Sequence, residues 1–124
     1  MRTLLFSLAS ILCLSGGLWA QAKTTHGPDC SGSARWPASA VFVYLKNAGL
    51  ADNKDIDWSK TKVVRLASEQ IGKDLWRQVH DVTYEKKSGE RLEAIVVNDA
   101  SMEECSMAGG PMFLVSKALG SHRK

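Results

Sequence analysis

Histidine and cysteine are too scarce in this chain to build most sites of catalytic or metal chemistry. Three residues of each type occur among 124. His26, His80 and His122 are widely spaced, and Cys13, Cys30 and Cys105 form no Cys-x-x-Cys pair, so the ligand spacing of a zinc site is missing. The acidic residues lack the alternating oxygen ligands of a calcium loop. The glycines at Ser88-Gly89 and Gly109-Gly110 punctuate turns and make no phosphate loop. Charge of one sign is lacking too: the net charge is only +3, the signs are interspersed, and no basic stripe or recognition motif points to nucleic acid. No metal and no cofactor are expected.

Long apolar runs are also missing, with one short exception. After the basic start Met1-Arg2-Thr3, Leu4 to Leu14 is apolar apart from Ser7 and Ser10, and Ala20-Gln21-Ala22 has the small-x-small form of a cleavage site. At ~11–15 residues the run is short of the roughly 20 that span a bilayer. Residues 1–22 therefore read as a secretory signal peptide, with an uncleaved anchor as the competing reading. Cys13 lacks the small neighbours of a lipid-attachment site. Cleavage after Ala22 leaves 23–124 as one small domain with no membrane span, and removes Arg2, the only charged residue of the leader. The basic end His122-Arg123-Lys124 reads as a frayed tail.

Cleavage also changes the cysteine count to an even pair. Cys30 and Cys105 in an oxidising compartment are expected to form one disulfide, closing a long loop and tying the mature N-terminus to the last part of the chain.

The best-specified structure is a β-hairpin from Leu75 to Val97, turning at Lys87-Ser88-Gly89 with Gly89 in the left-handed conformation. This turn pairs Lys86 with Glu90, Glu85 with Arg91, Tyr84 with Leu92, Thr83 with Glu93, Val82 with Ala94 and His80 with Val96. A shift of one residue would oppose Lys86 to Arg91 and Tyr84 to Glu93, and each pair matters by roughly 0.2–1 kcal/mol. One face collects Val82, Tyr84, Leu92, Ala94 and Val96. Val79, Ile95 and Val97 make the far end of the other face apolar as well, so cover is expected there on both sides.

Around the hairpin, Trp36-Pro37 opens a helix over Pro37–Ala48, with Val41, Leu45 and Ala48 on one face and Gly49 as its stop. Ala51–Lys60 has no apolar period and reads as an exposed connection around Trp58. Thr61–Ile71 is a first strand. Asn98–Ser101 reads as a break, Met102–Met107 as one helical turn with Ser101 and Glu104 at capping-box spacing, Ala108–Pro111 as a loop and Met112–Lys117 as a last strand. The fold class is thus α+β, one N-terminal helix on a four-stranded antiparallel meander. That arrangement is similar to cystatin-like folds in architecture alone.

Function is less legible. His80, with Trp76 and Tyr84 and an orienting Asp81 or Asp99, could line a cavity under the helix, but a single strand histidine lacks the mutual geometry of a catalytic set. Cys105 as a nucleophile has no activating partner and is consumed by the disulfide. No catalytic residue is assigned. The densest acidic group, Asp99, Glu103 and Glu104, lies beside Met102 and close to Cys105, where a stapled loop could offer carboxylates and an adaptable methionine to a basic protein. Asp55, Asp57 and Trp58 form a second candidate contact. These seven residues are the expected partner-binding set of a non-enzymatic, periplasmic or secreted inhibitor or immunity protein that blocks an envelope enzyme or toxin. A small enzyme or ligand-binding domain using His80, and a structural envelope protein, are the alternatives.

Overall fold

The computed structural model describes residues 27–115. Residues 1–22, read above as a leader and including Cys13, and the end of the chain from 116 onward lie outside the described residues. The element order is α1 (Trp36–Asn47), a single 3-10 turn (Trp58–Lys60), β1 (Lys62–Gly72), β2 (Leu75–Glu85), β3 (Arg91–Ala100) and β4 (Ala108–Leu114). The strands form one antiparallel sheet in the order β1-β2-β3-β4. The fold is α+β with one disulfide, Cys30–Cys105.

The β2–β3 register is the one that charge and polarity demand. Tyr84 pairs with Leu92, Val82 with Ala94, His80 with Val96 and Glu85 with Arg91. At the turn the Lys86 N–H donates to Glu90 O at 2.7 Å, Lys86 Nζ meets Glu90 Oε2 at 2.7 Å, and Gly89 has φ +90°. Positive φ is open to glycine at little cost, which is why the bulged turn settles on that residue.

Helix α1 ends in a full Schellman motif. Gly49 has φ +73°, its N–H donates to Lys46 O at 3.0 Å, and the Leu50 N–H donates to Leu45 O at 2.9 Å. These bonds satisfy carbonyls that the helix end leaves without partners. The buried helix face, Ala38, Val41, Phe42 and Leu45, packs on Val82, Tyr84, Leu92, Ala94 and Val96 of the sheet. Tyr84 is 0 % exposed and its hydroxyl donates to Ala38 O in the first turn of α1, joining the two layers by a polar contact inside an apolar core. Phe42 and Trp58 stand edge-on at 4.8 Å, with Trp58 and Tyr84 at 5.9 Å.

Four local expectations are corrected. The connection 51–60 is not simply exposed: Ile56 is 2 % exposed, bridges to Lys86, and is flanked by bonds from Asp57 N–H to Glu85 O and from Lys87 N–H to Asp55 O, at 2.8 and 2.7 Å. The loop therefore continues the sheet beside the hairpin turn. Asn98–Ala100 is not a break but the end of β3, because Gln78, Arg77 and Trp76 are there to pair with it. Residues 102–107 form no helix. Ser101 Oγ nevertheless accepts from the N–H groups of Glu103 and Glu104 at 3.3 and 3.1 Å, so the capping bonds form without a helix behind them. Finally, β4 begins at Ala108, not Met112. Gly110 is small for packing, since a Cβ there would stand 2.8 Å from Val97 O, whereas one at Gly109 would make ordinary contact with the Trp36 ring at 3.4 Å. Pro111 falls where the β3–β4 register shifts, opposite Val97, and at such a bulge a ladder N–H can be spared.

Helix α1 covers one face; on the other, Val79, Ile95 and Val97 are half-buried, while Val64 and Phe113 remain 54 and 58 % exposed and no helix among the described residues covers them.

Candidate functional site

Beyond the end of the apolar core the same sheet face turns polar. Alternation along β2 and β3 that buries Val82, Ala94 and Val96 also buries Gln78, His80 and Asn98, at 0, 0 and 1 % exposure. Burying such groups is costly unless they are bonded, and the segment Gly27–Cys30 supplies partners. Gln78 Nε2 donates to Pro28 O at 2.9 Å and to Ser68 Oγ at 3.2 Å. An Arg65 Nη donates to Gly27 O at 3.3 Å and to Pro28 O at 2.9 Å. The leading segment is thus held to β1 and β2 by side chains before the disulfide holds it covalently.

Asn98 couples this layer to the loop after β3. Its Nδ2 donates to Cys105 O at 2.9 Å, which leaves Oδ1 facing His80 Nδ1 at 3.0 Å. The amide orientation makes the imidazole the donor, with a proton on Nδ1. Burial lowers the His80 pKa from the usual 6.5; the Asn98 bond and Asp29 act the other way, and Arg65 reinforces the burial effect. With the folded value depressed, the unfolded chain takes up the proton first on acidification. Stability is full above pH 6.5 and falls as the pH drops through that value toward the folded pKa. Urea midpoints measured between pH 8 and pH 5 should show this loss. A His80→Gln variant, which has no proton to take up, should flatten the part of the profile that begins near pH 6.5.

The loop 101–107 is restrained at several points. The Ser101 N–H donates to Glu104 O at 2.7 Å, the Met102 N–H to Asp74 Oδ1 at 3.1 Å and the Met107 N–H to Asp99 O at 3.0 Å. The disulfide, with Cα atoms 5.7 Å apart, fixes Cys105 to Cys30. Ser106 Oγ donates to Glu104 Oε1. Outward from this frame stand Met102 and Met107, 61 and 50 % exposed, with the exposed Glu103 and Glu104 between them.

The seven expected contact residues do not form one surface. Met102, Glu103 and Glu104 share the loop. Asp99 is turned to the opposite face of the sheet, where both its oxygens take Arg77, Nε to Oδ1 at 2.9 Å and Nη2 to Oδ2 at 3.1 Å. Asp55, Asp57 and Trp58 sit at the other end of the eleven-residue β2, roughly 30 Å away at the usual rise per residue. Asp57 and Trp58 are also engaged. Asp57 Oδ1 caps the 3-10 turn by accepting from Ser59 N and Oγ at 3.2 and 2.6 Å, and those bonds hold its carboxyl below the ordinary range. Trp58 packs on Phe42 and Tyr84 and leaves 39 % of its surface outside.

His80 and Tyr84 are each 0 % exposed, so neither is presented to a ligand from the outside. The polar layer of Arg65, Gln78 and Asn98 was missed from sequence. Its signal was present: Gln78 alternates with His80 and Val82, and Asn98 lies two residues beyond Val96. Among the described residues no group of three His, Cys, Asp or Glu is placed to hold a metal, and no helix is long and apolar enough to cross a membrane. No family model matches the chain, and neither a curated protein nor a solved structure matches it.

Proposed function

We propose that this chain is a small exported binding protein, acting in the periplasm or outside the cell, that blocks a partner enzyme or toxin of the cell envelope as an inhibitor or immunity protein. The observation that supports it best is the loop 101–107: exposed Met102, Glu103, Glu104 and Met107 on a backbone tied by the disulfide and by bonds to Asp74, Asn98 and Asp99. A loop ordered before contact loses little entropy on docking, methionine adapts to the apolar relief of a partner, and the two carboxylates favour a basic surface. The leader reading of residues 1–22 and the oxidised cysteine pair fit export. The outline is similar to cystatin-like architecture, a likeness of shape alone. The Asp55–Trp58 segment is a secondary contact, since the Asp57 carboxylate and the Trp58 ring already serve the fold.

The test is capture from an envelope extract by the oxidised protein, followed by assay of the captured enzyme. One stoichiometric partner, inhibited by the protein, is expected. The double variant Met102→Ala, Glu103→Lys should bind it at least about tenfold more weakly, a loss of ~1.4 kcal/mol. Unchanged binding by that variant would remove the loop from the interface, and an extract that yields no stoichiometric partner would remove the function.

A further inference from the structure

The two edges of the sheet are built differently. Strand β1, one edge, carries Lys62, Arg65 and Glu69 and is interrupted by register shifts between Arg65 and Ala67 and between Gln70 and Gly72. Charges and bulges are the usual means by which an edge strand refuses a further strand. Strand β4, the other edge, has the sequence Ala-Gly-Gly-Pro-Met-Phe-Leu, without a single charge, and its register shift, opposite Val97, and its proline both fall before Met112. Its last three residues, Met112 to Leu114, run straight, in register with Val96, Ile95 and Ala94.

Alternation assigns the backbone groups of this stretch. The Val115 N–H donates to Glu93 O at 2.8 Å, toward β3. Phe113 therefore also turns its N–H and C=O toward β3, and Met112 and Leu114 turn theirs to the open side. Beside that open side runs an apolar cleft of about 220 Å³ between α1 and β4, lined by Val41, Tyr44, Leu45, Leu50, Met112 and Leu114 among others. Tyr44, Phe113 and Leu114 are 64, 58 and 54 % exposed.

The geometry points to a second copy of this chain as the occupant of this edge, β4 pairing antiparallel with β4 about a two-fold axis at Phe113. In that register the stretch is self-complementary. Met112 of each copy meets Leu114 of the other, both with N–H and C=O outward, giving two reciprocal pairs of hydrogen bonds. Phe113 meets its own counterpart in the non-hydrogen-bonded position, where Cα atoms are about 4.5 Å apart and side chains touch. On the helix side the two clefts face one another, so Tyr44, Leu50, Met112 and Leu114 of both copies close over a shared apolar seam. Aromatic side chains contribute about 150–250 Å² each when covered. The exposed fractions of these residues then amount to on the order of 1,000 Å² over both copies, the lower bound for a specific interface. An interface of that size makes a reversible dimer, and its symmetry closes it at two copies instead of a fibre.

Sedimentation velocity of the oxidised protein across the micromolar range tests this. A concentration-dependent monomer–dimer equilibrium is expected, and Phe113→Lys, which sets two cations against each other, should raise its dissociation constant at least tenfold. Thermal melting of that variant shows whether it is folded. Independently of that variant, Phe113→Cys should give a covalent dimer on mild oxidation, because the Cα separation suits a disulfide. Leu66→Cys, equally exposed on the guarded edge, should not. A wild-type protein that stays monomeric throughout overturns the proposal, even if it takes an extended peptide from another protein at β4. So does a dimer indifferent to Phe113→Lys, or a Phe113→Cys variant that fails to cross-link.

Discussion

Replacing Cys30 and Cys105 together by alanine should lower the unfolding free energy by about 4–5 kcal/mol, the chain-entropy value for a loop this long. The two residues lie 75 positions apart in sequence, so the bond removes much of the freedom of the unfolded chain and little of that of the folded one. At about 4–8 °C per kcal/mol for a domain of this size, melting should fall by roughly 20–30 °C. Urea titration of both proteins, with the slope monitored as well as the midpoint, provides the measurement. A decrease below about 1 kcal/mol would mean that Arg65 and Gln78 hold the leading segment as well without the bond as with it, or that the unfolded chain is already compact. Local effects should accompany the global one. Asn98 reaches the loop through the Cys105 carbonyl, so release of Cys105 should increase hydrogen exchange at Ser101 to Met107 before it does so at Val82 or Val96.

Tyr84→Ala should cost about 3–5 kcal/mol, as large-to-small changes of buried aromatic residues do. The ring stands between layers, with Phe42 and Trp58 on its flanks at 6.2 and 5.9 Å, and its hydroxyl bonds to the Ala38 carbonyl in α1. Tyr84→Phe separates the two contributions. It keeps the packing and removes one buried bond, for an expected loss of about 1–2 kcal/mol. Chemical denaturation of both variants gives the comparison, and equal losses would put the hydroxyl, not the ring, at the centre of the helix–sheet contact. The same burial pushes the Tyr84 phenol well above its ordinary 10.0. Raised in the folded state, it contributes stability that is intact below pH 10 and lost as the pH rises past the point where the unfolded phenol ionises. Tyr84→Phe should lack that alkaline loss.

The hairpin was legible because its information is local. Lys86, Glu90, Glu85 and Arg91 specify the register within a few residues of the turn, and any slip would turn Tyr84 and Val82 away from the core. The helix was legible for the same reason, from Pro37 at its start, the apolar spacing of Val41 and Leu45, and Gly49 at its end. Failures lay where a local pattern had two uses. Gly109 and Gly110 suit a turn as well as a strand, and only pairing with β3 and the close approach of Val97 to Gly110 select the second. Asp55 to Trp58 has the composition of a solvated connection, yet Ile56 is drawn into the core by the backbone of Lys86. The spread of the seven contact residues was not legible either, since separation along β2 and the pairing of Arg77 with Asp99 cannot be counted from spacing.

Composition and pattern alone determined the disulfide partners, the hairpin register, the helix and the α+β class, because each depends on compartment chemistry, residue propensity or interactions between near neighbours. Only the tertiary structure decided that His80 is sealed behind Asn98, that the loop 101–107 is held from three directions, and that the Met112–Leu114 end of β4 is an uncharged edge beside an apolar cleft. Those properties arise where segments distant in sequence come together, and their energies come from burial and unpaired backbone groups that no single stretch of the chain contains.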